Sequence, residues 1–194
     1  AGHDVIHLEI GEPDFTTAEP IIQAGQAALA AGKTRYTAAR GIPELREAIA
    51  RFYGQRYGVE IDPRRILVTP GGSGALLLAS ALLVDPGKHW LLADPGYPCN
   101  RHFLRLVEGA AQLVPVGPEV RYQLTPDLVN RHWDQGSVGA LVASPANPTG
   151  TILTRDELAG LSTAIKGHNG HLVVDEIYHG LTYGTDAASV LEVD

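Results

Sequence analysis

The sequence predicts an α/β fold, three layers (α/β/α) built around a mainly parallel sheet, and three observations predict it. Short, continuous apolar runs alternate with stretches of helical period, the pattern of parallel strands covered on both faces. Residues suited to turns and to polar chemistry gather where those runs end, at Gly71–Gly74, Asp94–Tyr97, Ser144–Gly150 and Asp175–Tyr178. A length of 194 residues with 44% hydrophobic content is enough for the continuous core of one domain or a large piece of one.

The elements follow in chain order. Over Glu19–Ala31 the residues Ile21, Ile22, Ala24, Ala28 and Leu29 fall at helical spacing, and Gly32 stands where a left-handed cap belongs. A second helix starts after Gly41-Ile42-Pro43, with Pro43 suited to a first turn and Leu45, Ala48, Ile49 and Phe52 on one face; it is expected to end near Gly58. Ile66–Thr69 is then a strand, Pro70–Gly74 a glycine turn and Ala75–Val84 a helix. The arrangement repeats with the strand Trp90–Ala93, the turn Asp94-Pro95-Gly96, a helix through Phe103 to Val107 and the strand Gln112–Val116. Gly139–Ala143 gives another strand, followed by the loop Ser144–Gly150, the helix Arg155–Lys166 and the strand His171–Val174. In such sheets ligands bind beyond the carboxyl ends of the strands, so four strand ends are expected to share one pocket.

Composition narrows the partners. A formal net charge of −7, with no run rich in Lys or Arg, argues against a nucleic-acid surface, which needs clustered positive charge. The lone cysteine, Cys99, has no internal disulfide partner. With neither a signal segment nor an apolar run of bilayer length in view, a cytoplasmic protein with no membrane partner is expected. The sequence opens at Ala1 without Met and stops at Asp194 without an evident terminal element, and both ends are expected to be cut.

Four segments carry chemistry. Gly71-Gly72-Ser73-Gly74 lets backbone amides approach an anion at the positive end of a helix, with the Ser73 hydroxyl as a further donor; it reads as a phosphate site or as an ordinary turn. It has neither the Gly-Lys-Ser/Thr ending of a nucleoside triphosphate loop nor the spacing of a dinucleotide fingerprint. Tyr97, between Asp94-Pro95-Gly96 and Pro98, is a flat surface for an aromatic ligand or a packed core tyrosine. Asn147, set between two prolines in Ser144–Gly150, is a positioned amide or part of a plain turn. Asp175 emerges from an apolar strand, where ionisation is costly unless a cation or donors meet it; it is a partner for a protonated ring nitrogen or a cap for nearby amides, and Tyr178 offers a hydroxyl three residues on.

Taken in order, Gly11-Glu12-Pro13-Asp14-Phe15, Tyr36-Thr37, Gly41–Arg46, Pro70–Leu76, Asp94–Pro98, Ser144–Gly150 and Asp175–Tyr178 closely resemble class I/II aminotransferases over nearly the whole chain. The resemblance implies the pyridoxal phosphate-dependent transferase fold, aspartate aminotransferase-like, with residues 1–30 an amino-terminal segment bordering the small domain and 31–194 a partial large domain. It implies pyridoxal 5'-phosphate as cofactor, with Gly72 and Ser73 at its phosphate, Tyr97 stacked on the pyridine, Asn147 and Tyr178 at the phenolic oxygen and Asp175 at the ring nitrogen. It implies a homodimer in which Tyr36 reaches the partner's cofactor phosphate, and places Gly11 beside the substrate carboxylate. The reaction implied is amino transfer between an amino acid and a 2-oxo acid. A cofactor-sensing transcription regulator and a carbon–sulfur lyase share these motifs and are the alternatives.

The lysine that anchors the cofactor in this family falls after the Asp-Glu-x-Tyr motif, beyond the last residue of this sequence, so the chain by itself is expected to be inactive. Lys33, Lys88 and Lys166 occupy turn or helix-end positions typical of solvated lysines and take no catalytic role. Neither His168-Asn169-Gly170-His171 nor the pair His3 and His7 has the partner set of a metal site, and none is expected.

Overall fold

The computed structural model describes Ile6 and residues 11–193. Two compact units are present, Ala1–Ala38 and Ala39–Asp194. In the first, helix α1 (Glu19–Ala30) ends as the sequence predicts: Gly32 adopts φ +67°, and its N–H donates to Leu29 O (3.0 Å) while that of Lys33 donates to Ala28 O (3.0 Å). This paired closure satisfies carbonyls that the last turn leaves bare. No residue of α1 is buried.

The second unit opens with α2 (Pro43–Tyr57), Pro43 at its first position and Gly58 at φ +68° closing it onto Gly54 O (3.1 Å). The next expectation needs correction. Residues 66–69 are extended but form no strand; the Val68 N–H donates to Arg40 O (3.1 Å), and none of the sheet strands lies alongside. Apolar, β-branched residues favour extension, yet a strand exists only where a ladder partner takes its backbone groups. The glycine turn is also corrected, because Gly71–Gly74 is the first turn of helix α3 (Gly71–Leu83), which starts four residues earlier than expected. The bend is shared: the Gly71 N–H closes a tight turn over Pro70 onto Thr69 O (2.8 Å), and Gly71 itself takes φ +71° to enter the helix.

Four strands follow, β1 (His89–Asp94), β2 (Ala110–Pro115), β3 (Ser137–Ala143) and β4 (His171–Asp175). All pair in parallel in the order β2-β1-β3-β4, with Leu92 opposite Leu113 on one side and Leu141 on the other, and Ala143 opposite Asp175. Helices α4 (Asn100–Leu106) and α6 (Arg155–Gly167) lie where the periodicity places them. Helix α5 (Pro126–His132) was not foreseen, although Thr125-Pro126 is its start signal: the Thr125 hydroxyl accepts the Leu128 N–H at 3.3 Å.

Alternation along the strands builds three layers. Leu91, Val114, Ala140 and Val142 pack with Val129 of α5 and Leu158, Leu161 and Ile165 of α6 in one core. Trp90, Leu92 and Leu141 point the other way, into a second core with Leu76 of α3 and Leu104 of α4. Between β1 and β3 the chain order reverses: β2 lies to one side of β1, β3 to the other. That reversal opens a crevice at the strands' carboxyl ends, the place where open α/β sheets bind ligands.

Candidate active site

The crevice is real space. A cavity of about 260 Å³ is lined from the end of β1 by Asp94 and Tyr97 and from the end of β3 by Asn147, with Asn100, Arg101 and Gln123 completing the polar part of its wall.

Each side chain there is held by its own segment. Tyr97 follows a bend so tight that a Cβ at Gly96 would stand 2.4 Å from Ala93 O. Its ring is 37% exposed. Its hydroxyl is held above the ordinary range, first by the adjacent Cys99 thiol, then by burial, and last by the neighbouring Tyr178 and Asp175 groups. Asn147 rides a loop closed by Ala146 N–H to Thr151 O (2.9 Å) and Gly150 N–H to Ala146 O (2.8 Å). The fully buried Ser144 ties that loop down, accepting the Leu153 N–H on its hydroxyl (2.9 Å) and donating its own N–H to Asp175 O (3.0 Å). Asp175 ends β4 with its carboxylate oriented by the Ile177 N–H (3.0 Å).

These pieces meet. Asn147 Nδ2 donates to the Tyr178 hydroxyl oxygen at 3.4 Å, joining the ends of β3 and β4. A phenol that accepts one hydrogen bond still has its own proton to give, so amide and phenol together present donors to an electron-rich oxygen. Gly72 backs onto the same turn: a Cβ there would lie 3.6 Å from Ile177 Cδ1. The first-turn amides of α3, Gly72 and Ser73 among them, have no partner within the helix, which suits them to an anion. The expected pocket of four strand ends is corrected: 66–69 is not a strand, and the cavity is lined from the ends of β1 and β3, while Asp175, Tyr178, Gly72 and Ser73 stand outside its lining, Tyr178 joined to it through Asn147.

Gly11 and Tyr36 lie in the Ala1–Ala38 unit, both exposed. Sequence reasoning missed Gln123, which is 3% exposed and sits in a stretch without a motif; its Nε2 bridges Ala143 O (3.0 Å) and Thr151 O (3.2 Å), bracing the end of β3 against the Asn147 loop. Within the second unit no lysine stands at the strands' carboxyl ends: Lys88 precedes β1 and donates to Gln135 O (3.1 Å), and Lys166 lies in the last turn of α6. His3 and His7 fall outside the described residues, and among the described residues no group of three or more His, Cys, Asp or Glu is placed to hold a metal. Nor is any described helix long and apolar enough to cross a membrane.

The sequence pattern of aminotransferase class I and II matches residues 3–194. The chain belongs to that family. The valine–pyruvate aminotransferase of Mycobacterium tuberculosis is 39% identical over 180 residues, covering 93% of this chain and 46% of that protein. The aspartate aminotransferase of Thermotoga maritima is 35% identical over 192 residues, covering 99% of this chain and 51% of that protein. Among solved structures, a single mutant of Thermus thermophilus aspartate aminotransferase superposes with a TM-score of 0.93 at 35% identity, over 99% of this chain and 50% of that one. The chain thus has the aspartate aminotransferase-like fold as a partial domain, and spans about half the length of the aminotransferases it matches.

Proposed function

We propose that this chain is the cofactor-cradling part of a pyridoxal 5'-phosphate-dependent aminotransferase that moves an amino group between an amino acid and a 2-oxo acid. One observation carries the reading: the Asn147–Tyr178 hydrogen bond brings two donors together at the ends of β3 and β4, with Asn147 lining the same cavity as Tyr97 and Asp175 closing β4. A phosphorylated, phenolic pyridine asks for that donor set. Asn147 and Tyr178 suit its phenolic oxygen, Asp175 its ring nitrogen, Tyr97 its flat face, and Gly72 with Ser73 its phosphate. When bound, such a cofactor supplies the electron sink for a substrate that loses its α-proton.

The residues' own work is binding and orientation. Asp175, fixed by the Ile177 N–H, would hold the cofactor's ring nitrogen in its protonated form, since a carboxylate beside a cation favours the charged pair. Asn147, donating to the Tyr178 oxygen, would leave the phenolic proton of Tyr178 free to be given to the cofactor's phenolic oxygen. Gly11 is assigned to the substrate carboxylate and Tyr36 to the cofactor phosphate of a second subunit, which makes the working protein a homodimer; residues 1–30 are assigned to the border of a small domain and 31–194 to the large one. A cytoplasmic setting accords with the single cysteine.

The test is direct binding. Pyridoxal 5'-phosphate titrated into the chain and followed by its absorbance is expected to saturate, and Asp175→Ala is expected to weaken binding at least about tenfold, the scale of one charge-assisted hydrogen bond. No saturable uptake, or equal uptake by Asp175→Ala, ends the reading.

A further inference from the structure

The turn that carries Asp175 and Tyr178 has a second side. Between and after those two residues come Glu176 and His179, also three apart, and both point their polar groups into the unit: the Glu176 side chain is 13% exposed and that of His179 only 8%. The turn is closed by His179 N–H to Glu176 O (2.9 Å) and Leu181 N–H to Tyr178 O (3.0 Å). Residues at positions one and four therefore face the proposed cofactor, and residues at positions two and five face inward.

The inward pair is tied to two other segments. Glu176 accepts the Val190 N–H on Oε1 (2.8 Å) and the Ser189 hydroxyl on Oε2 (3.1 Å). The Tyr53 phenol of α2 is pushed up to about 12, first by burial and then by the Glu176 charge. His179 Nδ1 lies 2.7 Å from the Tyr57 hydroxyl, one turn further along α2, and 3.7 Å from Glu176 Oε2. Its other nitrogen, Nε2, is buried with no partner among the described residues, so the Nδ1 contact is what anchors the ring. A carboxylate and an imidazole buried this deeply are costly without bonded partners, and nothing in the proposed chemistry uses either of them.

We infer that Glu176 and His179 are positioning residues that lock the turn to α2 and to the segment 189–192, and thereby fix the aim of Asp175 and Tyr178. The inference rests on the reading of Asp175 and Tyr178 as cofactor contacts. Glu176 sets the height of the turn through its two bonds to Ser189 and Val190, and His179 sets its rotation through the single bond to Tyr57.

Side-chain chemistry makes the test selective. Asparagine places an amide atom where His179 has Nδ1, whereas glutamine places one where it has Nε2. Tyr57→Phe and His179→Gln are expected to speed amide exchange at Leu181 and to weaken pyridoxal 5'-phosphate binding about tenfold each, the scale of one lost hydrogen bond, while His179→Asn stays within about threefold of wild type. Tyr57→Phe keeps the ring and its packing, so it remains informative should a His179 variant fail to fold. Equal behaviour of the Asn and Gln variants, or Leu181 exchange in Tyr57→Phe indistinguishable from wild type, overturns the inference. A wild-type chain that takes up no pyridoxal 5'-phosphate defeats the cofactor reading itself, and the exchange measurement still decides whether the turn is anchored as described.

Discussion

Two glycines at the site answer to different constraints, and a methyl group separates them. A Cβ at Gly96 would meet the Ala93 carbonyl oxygen at 2.4 Å, a backbone atom that has nowhere to go. Gly96→Ala is expected to cost about 1–3 kcal/mol as the loop carrying Tyr97 shifts. At Gly72 the same methyl would rest 3.6 Å from Ile177 Cδ1, an ordinary contact, inside a helical turn. Gly72→Ala is expected to leave stability unchanged or raise it by up to about 1 kcal/mol, since alanine loses less backbone entropy on entering a helix. Urea unfolding of both variants checks the pair, and a Gly72→Ala chain less stable than Gly96→Ala would contradict it.

Helix α6 shows how much of an element its own termini decide. Thr154 and Glu157 form a reciprocal cap: the Glu157 N–H donates to the Thr154 hydroxyl (3.3 Å), and the Thr154 N–H to Glu157 Oε2 (2.8 Å). Thr154→Ala is expected to lower unfolding free energy by about 1 kcal/mol in a urea titration. Burial opposes ionisation of Glu157, but hydrogen bonds from Arg121 and Thr154 outweigh it and hold the carboxyl below its usual range. A folded-state value below the unfolded one means that the stabilisation is complete above the unfolded value, about pH 4.3, and fades as pH falls through the folded one. The Tm difference between wild type and Glu157→Gln is therefore expected to be constant near neutrality and to shrink below about pH 4; a gap that widens in acid would refute this assignment. In the sheet, Gly139 is the element-scale counterpart: a Cβ there would lie 2.5 Å from His171 O and 2.7 Å from Trp90 Nε1, so the fully buried indole requires glycine on the adjacent strand.

Stability is unevenly spread over the molecule. Leu158, Leu161 and Ile165 of α6 are fully buried against β1, β2 and β3, whereas α1 buries no residue and leaves Leu29 69% exposed. Leu161→Ala is expected to cost about 2–5 kcal/mol, transfer and cavity terms together, and Leu29→Ala to stay within about 0.5 kcal/mol of wild type. Urea midpoints of the two chains measure the contrast, and similar losses would show that the core does not lie where the helices on the two faces of the sheet put it. The candidate cavity follows the same geography, lying where the order β2-β1-β3-β4 reverses, at the carboxyl ends, away from Lys88 at the amino end of β1.

Read alone, the sequence determined what local rules control. It placed α1, α2, α4 and α6 and all four strands to within a few residues, since period and caps are local, and it nominated Tyr97, Asn147, Asp175 and Tyr178 as candidates because turn chemistry at the end of an apolar run is visible without coordinates. Tertiary structure decided everything that needs a second segment: that 66–69 has no ladder partner, that the bend ends at Gly71 so that Gly72 and Ser73 are helical, that Gln123 braces the Asn147 loop, and that Glu176 and His179 face Tyr53 and Tyr57. A strand, a brace or a buried anchor is a relation between distant residues, and the free energy that fixes it, ladder bonds and desolvation repaired by hydrogen bonds, exists only once the chain has brought them together.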